Sequence, residues 1–525
     1  MIFKFVKQWV ILPNIKPVFL LIILLSFSCQ YRSGHDDNIL RVALLDNPTN
    51  LDPRTYTDVA SYRIIELVYD FLVRLDTTGL PQPDLAYKWD NPSDTVYIFY
   101  LRPNVKFHDS SPLTAYDVAY TFQSILDPQL RAPSRKSFEP IDKIQVLDSL
   151  TVKFKLKYPY APFLANTQVG IVPRHIARDN PDILQRKPMG SGPFVFKKWK
   201  SDSYVELAAN HDYWKTPPRL EGILVEILPE ETTRILALEN GEVDFLMNNF
   251  PESFLPRFRK NRDLKVEMKT GSNYVYLGLN LRNQFLKNRK VRQAIAQAID
   301  VKGIINNLMG GIHVPAKSLL NPRHWAYNPN LPDYTYSPER AKQLLNEAGY
   351  PDPDGDGPGT RFNLSYKCTD KQMSRQKAQL IQEYLKEIGI GIDIQSYEWG
   401  TFFEDVQNGR FDMYSLTWVG IYEPDIYYQL FHTDNIGVGA NRGGYSNPRV
   451  DELIVKAQRT LLFPERKKYY WEIQKILADD LPYISLWYET NVAVMNKEVK
   501  NFHIMPAAEW RPFEIAYFQK NSRSK

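Results

Sequence analysis

The chain of 525 residues has two cysteines and eight histidines. If Cys29 is acylated, Cys368 has no partner, and no disulfide framework is possible. No two histidines stand at metal-ligand spacing, so a zinc site would need distant convergence. There is no Walker loop, no Gly-x-Ser-x-Gly elbow and no His-Glu-x-x-His pair. Gly437-Val-Gly-Ala-Asn-Arg442 fails the dinucleotide pattern, because Arg442 stands where the third glycine belongs. Charge of one sign is also missing. The formal net charge of +5 reflects an N-terminus with Lys4, Lys7 and Lys16 and no acid before residue 29. Taking those three lysines from the 65 basic residues leaves 62 against 60 acidic ones. Composition therefore offers nucleic acid no electrostatic footprint. Repeats of 20–50 residues and low-complexity blocks are absent.

The N-terminus carries the longest apolar run, Val18-Phe-Leu-Leu-Ile-Ile-Leu-Leu25. It is too short to span a bilayer, which takes about 20 residues. With its lysines it reads as an export signal over residues 1–28. Cys29 directly after it is a candidate for lipid acylation, although Leu25 lies four residues before the cysteine rather than three. Ordinary cleavage nearby and an uncleaved anchor are the alternatives. Residues 29–37 form a polar tether. Cys368 alternates within Phe362-Asn-Leu-Ser-Tyr-Lys-Cys368 as a buried strand thiol would.

After the tether, strand and helix patterns alternate, as in a large α/β or α+β chain with two or three lobes. Strands are expected at Ile39–Leu45, Val96–Leu101, Val152–Leu156, Tyr204–Leu207, Ile223–Leu228, Ser272–Asn280, Gly391–Gln395 and Tyr483–Tyr488. Helices are expected at Tyr62–Leu72, after Thr114 with Asp117 closing an acidic capping box, and over 231–241. Val291, Ala294, Ile295, Ala298 and Ile299 give an amphipathic helix capped by Asn288, and Asp300 caps the next. Others are expected at 338–349, 373–388, 448–462 and 464–478. Asp352-Pro-Asp-Gly-Asp-Gly357 has the opening of a calcium loop, but Asn363 replaces its last ligand, so it reads as an acidic turn.

One stretch looks built for a ligand, Glu398 to Asp425. A short helix with Phe402, Phe403 and Val406 leads into an apolar strand, which ends in Thr417-Trp-Val-Gly-Ile-Tyr-Glu-Pro-Asp425. Aromatic residues and carboxylates on a broken loop at a strand's end are the raw material of a binding site.

Several segments, in order, carry a resemblance. They are Pro48-Thr-Asn-Leu-Asp-Pro53, Tyr100-Leu-Arg-Pro-Asn-Val-Lys-Phe-His-Asp109 with Leu113-Thr-Ala-Tyr-Asp-Val118, and Gly190-Ser-Gly-Pro-Phe194. Then come Asn210-His-Asp-Tyr-Trp214, Leu238-Glu-Asn-Gly-Glu-Val-Asp244, the helix Lys290 to Asp300, and Tyr336-Ser-Pro-Glu-Arg-Ala341. The set resembles the family 5 extracellular solute-binding proteins of bacterial ABC importers, the oligopeptide, dipeptide and nickel-binding group.

The resemblance implies a two-lobed periplasmic binding protein fold of type II with an extra subdomain. Lobe I would comprise 38–55, 185–272 and 487–525, with the subdomain 56–184 inserted, and lobe II would comprise 273–486. The hinge would lie near Ser272 and Leu486. It implies a monomer with no cofactor and no catalysis, which closes on an oligopeptide and delivers it to permease subunits with their ATPase. A sugar, a metal chelate or a signalling peptide is the alternative cargo, and an exported hydrolase the alternative class.

In peptide binders of the family an Asp three residues after the site Trp holds the ligand's amine. Here Trp418 and Trp399 match the family's aromatics, but Ile421 occupies the Asp position, and basic residues found in some members at the positions of Val406 and Ser415 are absent. The expected site is Trp399, Trp418, Val419, Ile421, Tyr422, Glu423 and Asp425, with Tyr274 and Trp487 near the hinge and Glu423 as substitute amine anchor.

Overall fold

A computed structural model describes residues 38–519 except Asp356 and Pro358. The export signal, Cys29 and the tether lie outside the described residues. Among those described, no helix is long and apolar enough to cross a membrane.

One sheet runs through the molecule. Its strands follow the spatial order Ile390–Tyr397, Phe362–Thr369, Met413–Trp418, Leu264–Leu279, Tyr483–Asn496, Phe245–Met247, Ile39–Leu44, Gly222–Ile227, Tyr204–Ala209 and Phe194–Lys200, and Val314–Pro315 pairs with Tyr483–Asn496. The two central strands are long and antiparallel. The sequence pattern showed only part of each: Leu264–Thr270 is part-exposed with many polar residues, and Asn491–Met495 is buried throughout, where alternation weakens.

The ladder between them is interrupted. Leu264 to Thr270 pairs with Asn496 to Thr490, and pairing resumes at Tyr274 opposite Tyr488. Residues 271–273 are left over against Glu489, a bulge that bends both strands. Gly271 sits in this break because no side chain fits. A Cβ there would lie 2.9 Å from the Glu489 carbonyl oxygen and 3.1 Å from that of Pro506.

Apolar side chains form separate cores on the two sides of the break. Leu40, Ile64, Phe194, Val225, Phe245, Met495 and Phe513 share one core. On the far side, Leu277, Ile295, Leu364, Ile381 and Trp487 share another, next to a tyrosine-rich one with Tyr276, Tyr414, Tyr427, Tyr470 and Tyr488. A further core, from Leu72 to Ile171, fills the space behind a four-stranded antiparallel sheet. Both ends of the segment 56–184 pack into the first core: helix Val59–Val68 does so through Ile64 and Ile65, and the returning chain through Val172 and Leu184.

Helix Val59–Val68 begins and ends earlier than its apolar face suggests. Asp58 caps it by accepting from Ser61 N at 2.7 Å. It stops before Asp70, whose buried carboxylate accepts from Ser191, Tyr213, Trp214 and Arg511 at 2.8–3.0 Å. Four donors from distant segments hold that residue outside the helix. The outer strands of the four-stranded sheet, Ala86–Ser93 and Ile141–Asp148, are largely exposed and carry little alternation. The Asp117 carboxylate accepts from Thr114 N–H at 2.9 Å and the Thr114 side chain accepts from the Asp117 N–H, the two halves of a capping box. Cys368 is buried in the second core.

Backbone carbonyls cannot step aside as side chains do, so Gly271→Ala is expected to cost about 1–3 kcal/mol. Urea denaturation of the variant beside the parent protein measures this.

Candidate binding cleft

The stretch from Glu398 to Asp425 builds an aromatic column first. Glu398 caps helix Trp399–Gln407 by accepting from Gly400 N at 2.7 Å. Phe402 and Val406, one turn apart, are buried, which leaves Trp399 50% exposed. Trp399 stacks on Phe403 with centroids 5.2 Å apart. The Arg442 guanidinium lies 5.2 Å from the Phe403 ring and 5.1 Å from the Trp418 ring. Trp418 lies parallel to Tyr276 at 6.2 Å, and Tyr276 stacks on Tyr483 at 4.2 Å. A cation between two aromatic faces strengthens such a column by about 0.5–2 kcal/mol per face. The Trp418 indole N–H is buried without a protein acceptor.

Beyond Trp418 the turn separates its side chains. Val419 is 57% exposed. Gly420, with φ of +65°, donates its N–H to Asn273 Oδ1 at 3.2 Å, tying the turn to the break in the central ladder. Ile421 is buried in the tyrosine-rich core. The Tyr422 hydroxyl donates to Glu509, which lies in the chain segment packed on the first core. The Tyr422 carbonyl accepts from His324 Nε2 at 2.8 Å. Ala326 N–H donates to Nδ1 of the same ring, and burial holds this imidazole neutral, its pKa pushed down to about 3. Nε2 therefore carries the proton it donates.

Glu423 and Asp425 turn away from this surface. Glu423 receives Arg466 Nη2 at 2.6 Å, and that buried guanidinium also meets Ala457 O and Tyr470 Oη. Asp425 accepts from Tyr160 Oη at 3.0 Å and Gln458 Nε2 at 2.7 Å. Burial first, then the charge on Glu423, pushes the Asp425 carboxyl up to about 6. Asp425 thus holds the Tyr158–Ala161 segment against the second half of the molecule, where Ala161 N also bonds Gln458 O at 2.7 Å, while Glu423 ties the turn to the helix of Arg466. A cavity of about 130 Å³ lies there, with Trp89, Tyr97, Glu423 and Arg466 in its wall.

Tyr274 and Trp487 are buried beside the ladder break. Tyr274 bonds Ser485 Oγ at 2.7 Å. It also borders a cavity of about 380 Å³ enclosed by Lys317, Tyr334, Phe431 and Leu486, wholly on the far side of the break from the first core. Trp487 stacks parallel to the His313 ring at 6.3 Å. The structure therefore brings Trp399, Trp418, Val419 and Tyr422 to one surface. Ile421, Tyr274 and Trp487 lie beneath it, and Glu423 and Asp425 lie to one side.

Three charged groups escaped the sequence reading. Lys377, on helix Gln372–Glu387, donates to Ser415 Oγ at 2.7 Å. The cation missing from position 415 itself is thus supplied by a neighbouring helix, and burial pushes its pKa down to about 8. Glu509 accepts from Tyr422 Oη and, at 2.9 Å, from Ala507 N. Glu66 accepts from Trp510 N. Burial pushes the Glu509 carboxyl up to about 7 and the Glu66 carboxyl up to about 8, the latter with help from the charge on Glu509. Lone acids and one lysine within polar segments gave no pattern to follow. Among the described residues no group of three His, Cys, Asp or Glu is placed to hold a metal.

Residues 81–437 match the family described as bacterial extracellular solute-binding proteins, family 5 Middle. The chain is 30% identical to the oligopeptide-binding protein AppA of Bacillus subtilis, with 89% of each chain covered. The solved structure of that AppA in complex with a nonapeptide superposes with a TM-score of 0.75 at 30% identity, over 92% of this chain and 99% of the other. NikZ from Campylobacter jejuni in complex with Ni(L-His) superposes with a TM-score of 0.78 at 26% identity, over 92% and 99%.

Glu423→Ala strands the Arg466 guanidinium in the interior and is expected to cost about 3 kcal/mol of stability. Chemical denaturation of Glu423→Ala against an Arg466→Met, Glu423→Ala pair tests this, with recovery expected in the pair. The raised carboxyls of Glu66 and Glu509 bind protons more tightly folded than unfolded. Their contribution is complete below about pH 4.5 and is lost as pH rises through about 7 to 8. The melting temperature of the ligand-free protein should fall between pH 5 and 8.5, and Glu66→Gln should flatten that fall.

Proposed function

The chain belongs to family 5 of the bacterial extracellular solute-binding proteins, and we propose that the solute it captures is an oligopeptide. As a member it is the substrate-binding component of an ABC importer and not an enzyme. The observation that carries the peptide reading is the column of Trp399, Phe403, Arg442 and Trp418 beside the break in the two central strands. Such a column offers flat apolar faces to side chains of varied shape. The free Trp418 N–H offers a donor to a backbone carbonyl.

In this reading Trp399, Trp418, Val419 and Tyr422 touch the cargo. Tyr274, Ile421 and Trp487 support them, Glu423 and Asp425 fasten the turn, and Lys377 supplies positive charge at Ser415. The halves move about Gly271–Asn273 and Glu489. Lobe I takes 38–55, 185–272 and the chain from 487 on, the inserted segment 56–184 keeps its own core between Leu72 and Ile171, and lobe II takes 273–486. Cargo that touches both lobes favours their approach, which the permease reads. Periplasmic binding proteins as a class close about a hinge; the residues at which the bend falls are particular to this chain. The protein acts as a monomer in the periplasm, tethered to a membrane by lipid on Cys29.

A metal chelate is the second reading, favoured by the likeness to NikZ bound to Ni(L-His). Such cargo would bring most of its own ligands.

Native mass spectrometry of protein purified without denaturation tests the choice. Co-purified peptides support the first reading, whereas an unliganded mass that shifts only with sugars or metal chelates overturns it. Trp399→Ala is expected to weaken binding of the co-purified peptide about tenfold or more by isothermal titration, since stacking on the half-exposed indole at the end of the column is replaced by water.

A further inference from the structure

A peptide's terminal ammonium buried between two lobes needs a carboxylate that no other cation already holds. The acids around the turn differ sharply in this respect. Glu423 is paired with Arg466 at 2.6 Å. Asp425 also has only neutral donors, Tyr160 and Gln458, but it turns away from the stacking surface toward the inserted segment. Glu489 accepts from Asn273 Nδ2 at 2.9 Å, and Glu252 faces His313 at 3.8 Å. Glu509 has two neutral donors, the Tyr422 hydroxyl and Ala507 N–H. Among the described residues no Lys, Arg or His nitrogen reaches Glu509 or its neighbour Glu66 at ion-pair distance.

None of the described basic groups nearby forms an ion pair with Glu509 or Glu66. Arg74 donates to Asp84 at 2.7 Å, Arg511 to Asp70 at 2.9 Å, and Arg63 lies over the Trp510 ring at 5.2 Å. Burial first, then the charge on Arg323, lowers the Lys269 ammonium, and the charge on Glu509 acts against them. Two buried acids are thus left without an ion-pair partner, Glu509 on the Tyr422 hydroxyl and the Ala507 N–H and Glu66 on the Trp510 N–H, with cationic charge only at a distance. Arg63 Nε and Arg74 Nη2 are themselves buried without partners, so this region holds donors as well as acceptors that the protein does not satisfy internally.

Resting on the peptide reading above, we propose that Glu509 is the residue that receives the cargo's amine, with the Tyr422 hydroxyl occupying that place in its absence. The geometry supports a handover. Tyr422 donates one proton to Glu509, while an ammonium donates up to three, to Glu509, to the Tyr422 oxygen and toward Glu66. The carboxylate comes from the segment packed on the first core, and the aromatic column comes from the other half. An amine held this way is gripped from the lobe opposite the stacking surface. Recognition of a free N-terminus and approach of the two halves then become one event, and the buried Ile421 is relieved of any polar task.

The test uses the full chain and two pentapeptide mixtures of random sequence, one with free N-termini and the same mixture N-acetylated, with affinities read by competition in native mass spectrometry. The parent protein should prefer the free-amine mixture by about tenfold or more, the size expected of a charge-assisted hydrogen bond. Glu509→Gln should abolish that preference, bringing the affinity for the free-amine mixture to that for the acetylated one. Tyr422→Phe removes one acceptor and should reduce the preference by less than Glu509→Gln does. Should Glu509→Gln fail to fold, Glu509→Asp draws the carboxylate back by one methylene and should reduce the preference at least fivefold. A Glu509→Gln protein that folds and keeps the parent's preference overturns the anchor while leaving the peptide reading intact. Binding of neither mixture by the parent protein overturns the peptide reading, and the anchor with it.

Discussion

The molecule depends on one pair of strands. Leu264–Leu279 and Tyr483–Asn496 run antiparallel through the middle of the sheet and belong to the cores on both sides. A continuous ladder would lock those cores into a single rigid slab. The surplus of residues 271–273 opposite Glu489 interrupts that ladder. Gly271 permits the tight passage, Ser272 N bonds Pro506 O at 2.8 Å, and Asn273 reaches both Glu489 and Gly420. The break, the C-terminal segment that carries Glu509 and the turn after Trp418 are therefore one hydrogen-bonded unit.

Buried charge is distributed in two ways around this unit. Some is neutralised on the spot: Asp52 with Arg54, Asp70 with Arg511, Glu423 with Arg466. The last two pairs staple segments that lie far apart in sequence, and together the three hold the inserted segment and the turn in place. Glu66 and Glu509 lack such partners, and desolvation without compensation pushes both carboxyls upward. A fold that satisfies Asp70 with four donors and leaves Glu509 with two neutral ones treats the two acids differently, and the difference coincides with the surface where cargo is expected.

Local signals were legible where a residue acts on its immediate neighbours. The caps at Thr114, Asn288 and Asp300, the helix with Val291, Ala294 and Ile295, and the buried alternation around Cys368 all depend on contacts within a turn or a strand. The aromatic stretch from Trp399 to Tyr422 stood out for the same reason. Illegible were the outer strands Ala86–Ser93 and Ile141–Asp148, whose faces are mostly wet, and the end of helix Val59–Val68, set by partners more than a hundred residues away. Arg442 was visible only as a misfit in a glycine pattern. Its place between Phe403 and Trp418 needs three separate segments to converge.

By itself the sequence determined the alternating α/β character, the strand and helix faces, the absence of a local metal or nucleophile motif, and, through its ordered motifs, the family. Those properties follow from short-range periodicity and from the order of segments along the chain. Tertiary structure decided which acid is free and which is spent. Glu423, Asp425 and Glu509 are equivalent as letters, and each becomes different only when Arg466, Tyr160 or Tyr422 is folded against it. Charge compensation acts through space over a few ångströms, and that distance is set by the packing of segments the chain order keeps apart.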